Sequence, residues 1–422
     1  MAGWNGLGVF VRAMNWVADK AAAIKITASR MDTEFDNYKT GLENCITRDG
    51  QTPPTADIPW NSKKITGLAT GVSSTDAINL GQLSGLTSGN AFRKNLLVNG
   101  DFSLWQSSTG ASSASVAGTA ARIRTADCWW AIRQGTTGYT VSAQGGTSSR
   151  YALKWQRDNG NASTQNMLLA QSIESDNVLW MKFGTPPSVT VSFYAKKGAN
   201  YSGGDLTVEL VRGTGVDECV LDGYTGSALL GAAFTQTLSA TLTRYSFTRS
   251  ADASTNELGL RFTWTPTGAA GADDSVTLEA VQVEVANAAT DFDRVPISEN
   301  LARCQRYYQK SFAMGTAPAQ NIGFASGLFA FTSARAGANT QQVTLSLPVC
   351  LGPMSYTGTL YNPSAANGQV RDDTAGGDCS ASSILDVGGN QGAQLRIITT
   401  GNAATAVGNM LSFYWTVAAA NF

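Results

Sequence analysis

Histidine is absent from the 422 residues. That absence excludes a histidine-based triad, a histidine-ligated zinc ion and a histidine pH switch together. Charge is scarce as well. Asp, Glu, Lys and Arg make up 14 % of the chain, against roughly 25 % in an ordinary soluble domain. The 30 basic and 31 acidic residues nearly cancel and form no basic block, so no nucleic-acid footprint is expected. The six cysteines (Cys45, Cys128, Cys219, Cys304, Cys350, Cys379) are far apart and never spaced as CxxC. They are expected to be isolated reduced or buried thiols, with no metal site among them.

Other signals are missing too. No G-x-S-x-G, Walker loop or dinucleotide fingerprint occurs, and no catalytic residue is assigned. The opening MAGWNGLGVFVRAMNW lacks a basic region followed by a long apolar core, so no signal peptide is expected. The uncharged stretch 401–422 reads as a terminal strand rather than a membrane span, and no membrane insertion is expected.

What is present is small and polar. There are 44 glycines, with abundant Thr, Ser and Ala, a composition suited to many short strands and turns. Helical pattern is confined to the first 50 residues. Met31, Phe35, Tyr38, Leu42 and Cys45 recur at spacings of four and three, which places them on one stripe of a helix running from about 28 to 46. Thr27 or Ser29 is its expected N-cap. Such a helix is too short to be stable alone; it either packs on its own domain or associates with copies of itself. Residues 51–94 read as an extended Pro/Gly linker, in which Ile58, Ile65, Leu68, Ile78, Leu80 and Leu83 are single apolar anchors.

From Asn95 the period changes to two. Strands are expected at 126–134, 139–144, 151–157, 167–174, 188–197, 205–213, 241–250, 256–266 and 276–285. In the last of these the apolar parity slips near Ala280, the mark of a β-bulge. Turn signals about every ten residues point to a two-sheet sandwich or jelly roll over 95–296. Pro296 ends the strand region, and Ser298 is the expected cap of a short helix within an interdomain linker at 297–312. A second β domain follows at 313–422, with strands in 321–334, 341–350, 355–363, 393–400 and 409–419. The segment Ala365–Ser383 is expected to be an exposed loop. The fold class is thus mainly β, with a short N-terminal helical region.

A glycosidase would need two facing carboxylates. The pairs Glu174/Asp176, Asp205/Glu209, Asp217/Glu218 and Asp273/Asp274 sit near strand ends, and solvated turn carboxylates are the plainer reading. Trp129 and Trp130 fall on opposite faces of one strand, so one of them should be core. Trp155, Trp180 and Trp415, with Asp372 and Asp373, are candidate glycan contacts, because aromatic faces stack on sugar rings; core packing is the competing reading. Asp101, Asp127 and Asp274 are candidate donors to a structural calcium ion. No other cofactor is expected.

Two stretches carry a family resemblance. Arg48-Asp49-Gly50-Gln51, Lys64-Ile65-Thr66-Gly67-Leu68-Ala69, Ser74-Thr75-Asp76-Ala77 and Gln82 resemble the N-terminal region of tailed-phage tail fibres and related virion fibres. The family's methionine before the K-I-T element is replaced by Trp60 at a shifted spacing. Asn95-Leu96-Leu97-Val98-Asn99-Gly100-Asp101-Phe102 with Trp105, Ala126-Asp127-Cys128-Trp129, Leu278–Glu284, Ala289-Thr290-Asp291-Phe292 and Arg303–Tyr308 resemble phage modules similar to carbohydrate-binding jelly rolls. The resemblance implies a non-enzymatic homotrimeric fibre of the virion tail, made in the host cytoplasm. Residues 1–50 would attach it to another virion protein (tail or adaptor), and the distal domain would meet a host surface polysaccharide or receptor. A head fibre or capsid decoration protein shares these motifs, and a polysaccharide-degrading tail spike is the enzymatic alternative. In this picture Tyr307 and Tyr308 pack between domains rather than against a ligand.

Overall fold

The computed structural model describes residues 3–4, 10–43, 94–108, 111–114, 122–133, 138–182, 188–349, 355–388 and 394–419, with short pieces between 57 and 78. The chain divides into two compact units, 1–79 and 80–422.

In the first unit a two-residue hairpin, β1 (Gly3–Trp4) with β2 (Phe10–Val11), accompanies helices α1 (Trp16–Ala21) and α2 (Ala28–Glu43). Asn15 caps α1 by accepting from the Ala18 amide at 3.2 Å. Ala23 adopts a φ of 53° between the two helices, and Thr27 places its carbonyl against the Met31 amide to start α2. Residues 64–71 and 75–78 hold neither helix nor strand. In the S-T-D-A element the Asp76 carboxylate accepts from the Ser73 amide at 2.8 Å, closing a turn. Ile65, Leu68 and Ile78 are exposed; Ile58, Leu80 and Leu83 lie outside the described residues.

The second unit begins with a jelly-roll-like sandwich. One sheet runs β11 (Ala228–Leu229), β10 (Leu206–Gly213), β14 (Glu257–Trp264), β8 (Met167–Ile173), β5 (Trp130–Arg133), β4 (Arg122–Arg124), with β12 (Phe234–Gln236) also on β10. The facing sheet runs β13 (Thr243–Ser250), β9 (Ser188–Lys197), β15 (Ser275–Val285), β7 (Tyr151–Arg157), β6 (Tyr139–Gly145), β3 (Ala111–Ala114). Alternation explains the layering. Val189, Val191, Phe193 and Ala195 of β9 point into the core with Leu153, Trp155, Leu260 and Phe262, while Thr190, Ser192 and Tyr194 take the other face. The expected bulge is present: the register of β15 against β9 shifts between Glu279 and Gln282, and Ala280 has a φ of 47°.

After β15 the chain forms helix α3 (Ile297–Gln305). Ser298 does not cap it. Pro296 occupies that position with extended backbone angles, and its carbonyl accepts from the Asn300 amide at 2.9 Å. The helix therefore starts one residue before Ser298, as a proline with fixed φ favours. The C-terminal β region comprises β16 (Tyr308–Lys310), β17 (Phe329–Thr332), β18 (Thr340–Ser346), β19 (Tyr356–Tyr361), β20 (Arg371–Asp372), β21 (Gly377–Asp378), β22 (Ala381–Gly388), β23 (Gln394–Thr400) and β24 (Met410–Ala419). β24 is its axis: the N-terminal half pairs with β17 and β20, the C-terminal half with β16 and β19.

Two expectations here are corrected. The 321–334 stretch is a strand only over Phe329–Thr332. Gly323 and Gly327 adopt φ of 81° and 93°, and a β-carbon on Gly327 would lie 1.9 Å from the Ser311 carbonyl oxygen. Ala365–Ser383 is not a plain exposed loop, because it contributes β20, β21 and the start of β22.

Candidate functional site

Helix α2 is inside out. Its buried residues are Glu34, Asn37 and Gly41. Glu34 pairs with Arg12 at 3.1 Å and accepts from the Met14 amide at 2.7 Å. Asn37 donates to the Val11 carbonyl at 3.1 Å, and Gly41 lets the Phe10 ring close against the helix, where a β-carbon would come within 2.0 Å of it. The apolar stripe points the other way. Phe35 is 60 % and Leu42 70 % exposed, with Met31 and Tyr38 partly so; Tyr38 stacks on Phe10 at 5.5 Å. Cys45, the last member of the stripe, lies outside the described residues. A soluble helix buries its apolar side when it packs on its own unit. Here the unit is packed on the polar side and the heptad-like seam is left over.

The two jelly-roll signatures interlock. Asn95 donates to the Val281 carbonyl at 3.0 Å and accepts from the Leu97 and Val283 amides, so the entering chain runs along the bulged strand. Glu279 accepts from three successive amides, those of Thr147, Ser148 and Ser149. Gln282 and Glu284 clamp the exit loop, through the Asp293 amide and through the amide and hydroxyl of Thr290. The polar outer face of β15 is thereby buried under its own exit loop. Glu279, Gln282 and Glu284 thus position backbone. The covered face leaves a gap of about 210 Å³ lined by Tyr194, Arg244, Asp291, Phe292 and Arg294.

A larger open cleft, about 460 Å³, lies where the sandwich meets α3. Asn95, Leu96, Val98, Glu174, Asp176, Asn177, Arg303, Arg306 and Tyr307 line it. The 3₁₀ turn Ser175–Lys182 presents Asp176 and Asn177. Arg306 holds Glu174 through two bonds of 2.6 and 3.2 Å. Arg303 donates to the Leu97 carbonyl at 3.1 Å. Planar acceptors and guanidinium donors in a shallow cleft can exchange hydrogen bonds with a polyhydroxylated ligand.

Of the tryptophans expected to touch sugar, Trp155 is wholly buried, edge-on to Trp264 at 6.1 Å. It shares the inward parity of Leu153, so it fills core. Trp415 is also buried, in the C-terminal core. Trp180 is half-buried on the 3₁₀ turn, packed against the core, and its Nε1 donates at 2.9 Å to the carbonyl of Asn177, a cleft residue; Trp180 does not itself line the cleft. Trp129 is core, whereas Trp130 is partly exposed under the guanidinium of Arg124 at 4.3 Å. Asp372 is buried and accepts from Asn409 at 2.9 Å. Burial raises its carboxyl, but the bonds from Asn409 and the Ala375 amide outweigh this and hold it below the usual range. Asp373 beside it is half-buried and pushed up by that burial. Buried Asp372 is a structural acceptor rather than a ligand contact.

The carboxylates considered for calcium are engaged by protein. Asp101 accepts from Ser103 and Asn300, and Asp127 from the amide and side chain of Gln106. Asp274 faces Arg157 at 2.7 Å. Among the described residues no three acidic or thiol side chains converge as a metal site. Glu209 pairs with Arg261, Glu218 with Thr225, and Asp273 with Lys154.

Where the sandwich meets the C-terminal β region, Tyr307 and Tyr308 are buried. Tyr308 pairs with Ala418. The Ala419 carbonyl accepts from Arg124 of the sandwich at 2.8 Å, and the Tyr356 hydroxyl donates to the Arg306 carbonyl at 2.6 Å. Sequence reading missed Asn177, Arg303 and Glu174 as a group; Arg303 and Arg306, at i and i+3 on the same helix side, were the available signal.

A family model described as the coiled stalk of trimeric autotransporter adhesin matches residues 64–103. Among solved structures, the CBM22-1 xylan-binding domain from Paenibacillus barcinonensis Xyn10C aligns with 43 % of this chain and 96 % of its own, at 18 % identity and TM-score 0.26. A CBM4 structure aligns over 44 % and 97 %, at 14 % identity and TM-score 0.25. The enzymatically active domain of tailspike protein 4 from bacteriophage CBA120 aligns over 45 % of this chain at 8 % identity and TM-score 0.26. The match spans only 21 % of that tailspike chain. No curated protein matches the sequence.

Proposed function

We propose that this protein is a non-enzymatic, adhesive virion fibre subunit that works as a homotrimer. Its N-terminal region would join another virion protein, and its β regions would meet a host-surface glycan. The observation that carries this reading is the inverted α2: Met31, Phe35, Tyr38 and Leu42 form a 4-3-4 seam that its own unit covers only at Tyr38, through Phe10. Three copies packed along that seam bury it. The single apolar anchors Ile65, Leu68 and Ile78 then wind along neighbouring chains. The stalk model's match over 64–103 supports the same picture, since that family is described as trimeric, as does the resemblance of residues 48–82 to tail-fibre N-termini.

Adhesion is assigned to the cleft of Asp176, Asn177 and Arg303 beside Trp180. Single-site affinity for a sugar is weak, and three linked sites multiply it. The test is retention of the full-length chain on host cells before and after their surface polysaccharide is stripped. Retention that disappears with stripping, and falls about tenfold in Asn177→Ala, supports the reading, a tenfold loss being the size of one good hydrogen bond to a buried polar group. Shortened oligosaccharides in the supernatant would make the protein a depolymerase instead. Labelling the N-terminus on virions decides the mounting: density on the tail fits a tail fibre, and density on capsomers excludes it.

A further inference from the structure

The junction holds a pair of thiols that the proposed function does not use. Cys128 lies in the sharp turn 126–129, closed by the Trp129 amide donating to the Ala126 carbonyl at 2.8 Å. Its φ of 67° is one that residues bearing a β-carbon seldom adopt. Cys304 sits on the buried side of α3. The two side chains are 3 % and 0 % exposed and share one small apolar cluster with Val98, Leu104 and Tyr307. All four described cysteines are free and buried, as expected, and two of them share this cluster. Cys219 and Cys379 are not part of the cluster.

We propose that Cys128 and Cys304 are a disulfide-forming modification site: an oxidation-made cross-link that fastens α3, and through it the C-terminal β region, to the sandwich. The co-reactant is a small disulfide such as oxidised glutathione. One thiol loses its proton and attacks the small disulfide, releasing one glutathione thiol and leaving a mixed disulfide. The second cysteine, deprotonated in turn, displaces the second glutathione. Two S–H bonds are lost, one protein S–S bond forms, and one small disulfide is reduced to two thiols. Burial, with Cys128 alongside, pushes the Cys304 thiol well above the usual range. The pair is therefore slow to react while the junction is closed and reacts when it opens. The inference stands on the two thiols sharing that buried cluster and is independent of the adhesive reading.

The experiment uses the full-length chain, reduced and then incubated with oxidised glutathione in sub-denaturing urea. Free thiols are alkylated, the protein is digested, and thermal unfolding is followed with and without reductant. The expected result is a linked peptide joining Cys128 to Cys304 and an unfolding midpoint raised by roughly 5–10 °C, as closing a loop of about 180 residues implies. Cys304→Ser should lose both the linked peptide and the sensitivity to reductant. Complete alkylation of both cysteines after oxidation, linkage to other cysteines, or a linked protein that melts no higher than the reduced one overturns the proposal. The wild-type readouts decide the question even if the variant fails to fold.

Discussion

Arg306, at the end of α3, grips Glu174 of the sandwich with two hydrogen bonds of 2.6 and 3.2 Å. The same residue's carbonyl accepts from Tyr356 of the C-terminal β region. One residue therefore ties three parts of the second unit together.

Arg306→Ala should loosen that junction. Arg306 is about a third exposed, so solvent weakens the pair; a loss of ~1–2 kcal/mol is expected. Limited proteolysis between 306 and 320 and a lower unfolding midpoint are the readouts. Unchanged protease resistance would show that the β24 pairings alone hold the junction.

Arg157 and Asp274 form the most deeply buried ion pair described, at 2.7 Å and about 1 % exposure or less. Most of their remaining valences are filled: Arg157 donates to the carbonyls of Ser163 and Gly268, with only its Nε left without a partner, and Asp274 accepts from Ser202. Asp274→Ala strands a buried guanidinium and should cost about 3–5 kcal/mol, whereas the double replacement Arg157→Met with Asp274→Leu should recover most of it. Urea unfolding of the three variants checks both halves of that statement.

Gly100 marks the closest approach of the entry segment to the bulged strand. A β-carbon there would lie 2.2 Å from the Val281 carbonyl oxygen and 2.8 Å from the Asn95 amide nitrogen. Neither is a flexible side-chain end free to swing away, because Asn95 is fixed by its own bond to Val281. Gly100→Ala is expected to destabilise the sandwich by ~1–3 kcal/mol. Gly160→Ala, with open space around it but a φ of 79°, is the control for backbone strain without a clash, and it should cost less.

Glu257 supplies a pH dependence. Burial and the neighbouring Glu218 carboxylate push its carboxyl up to about 7. A carboxyl raised in the folded state favours folding below its unfolded value near 4.3, and that advantage is lost as pH rises through about 7. Stability at pH 8 should therefore fall relative to pH 5 by a component that Glu257→Gln removes. Comparing wild type and variant at the two pH values isolates it from other groups with shifted values, such as Lys310, lowered by burial to about 8. Parallel pH profiles for the two proteins would contradict the assignment.

The sandwich was readable because its strands alternate cleanly. Tyr151–Arg157 and Ser188–Lys197 are strands over the bounds expected, and the slip at Ala280 announced the bulge. Parity also held the answer for Trp155, which falls in step with Leu153 and so points inward. Asp372 could not be read this way. Its burial depends on Asn409, a residue distant in sequence that β24 brings alongside β20, and local polarity suggested solvent instead. The cleft was hidden for a similar reason: Asp176 and Asn177 meet Arg303 only after the sandwich folds against α3. Periodicity reports which face is buried, not which distant polar groups will converge.

The α2 stripe could be read from its spacing, but its orientation could not. Glu34, Asn37 and Gly41 look like the solvent side of an amphipathic helix and are the buried side. Replacing Phe35 and Leu42 together by Ser removes the two most exposed members of the seam while leaving the Glu34 and Asn37 contacts in place. The account predicts that this variant keeps its fold and loses its association.

The mass of the full-length chain in solution tests the central claim most directly. Sedimentation equilibrium should give three times the 44.3 kDa chain mass, falling towards one chain in the Phe35→Ser, Leu42→Ser variant. A wild-type protein that sediments as a single chain at every concentration would contradict the trimeric fibre.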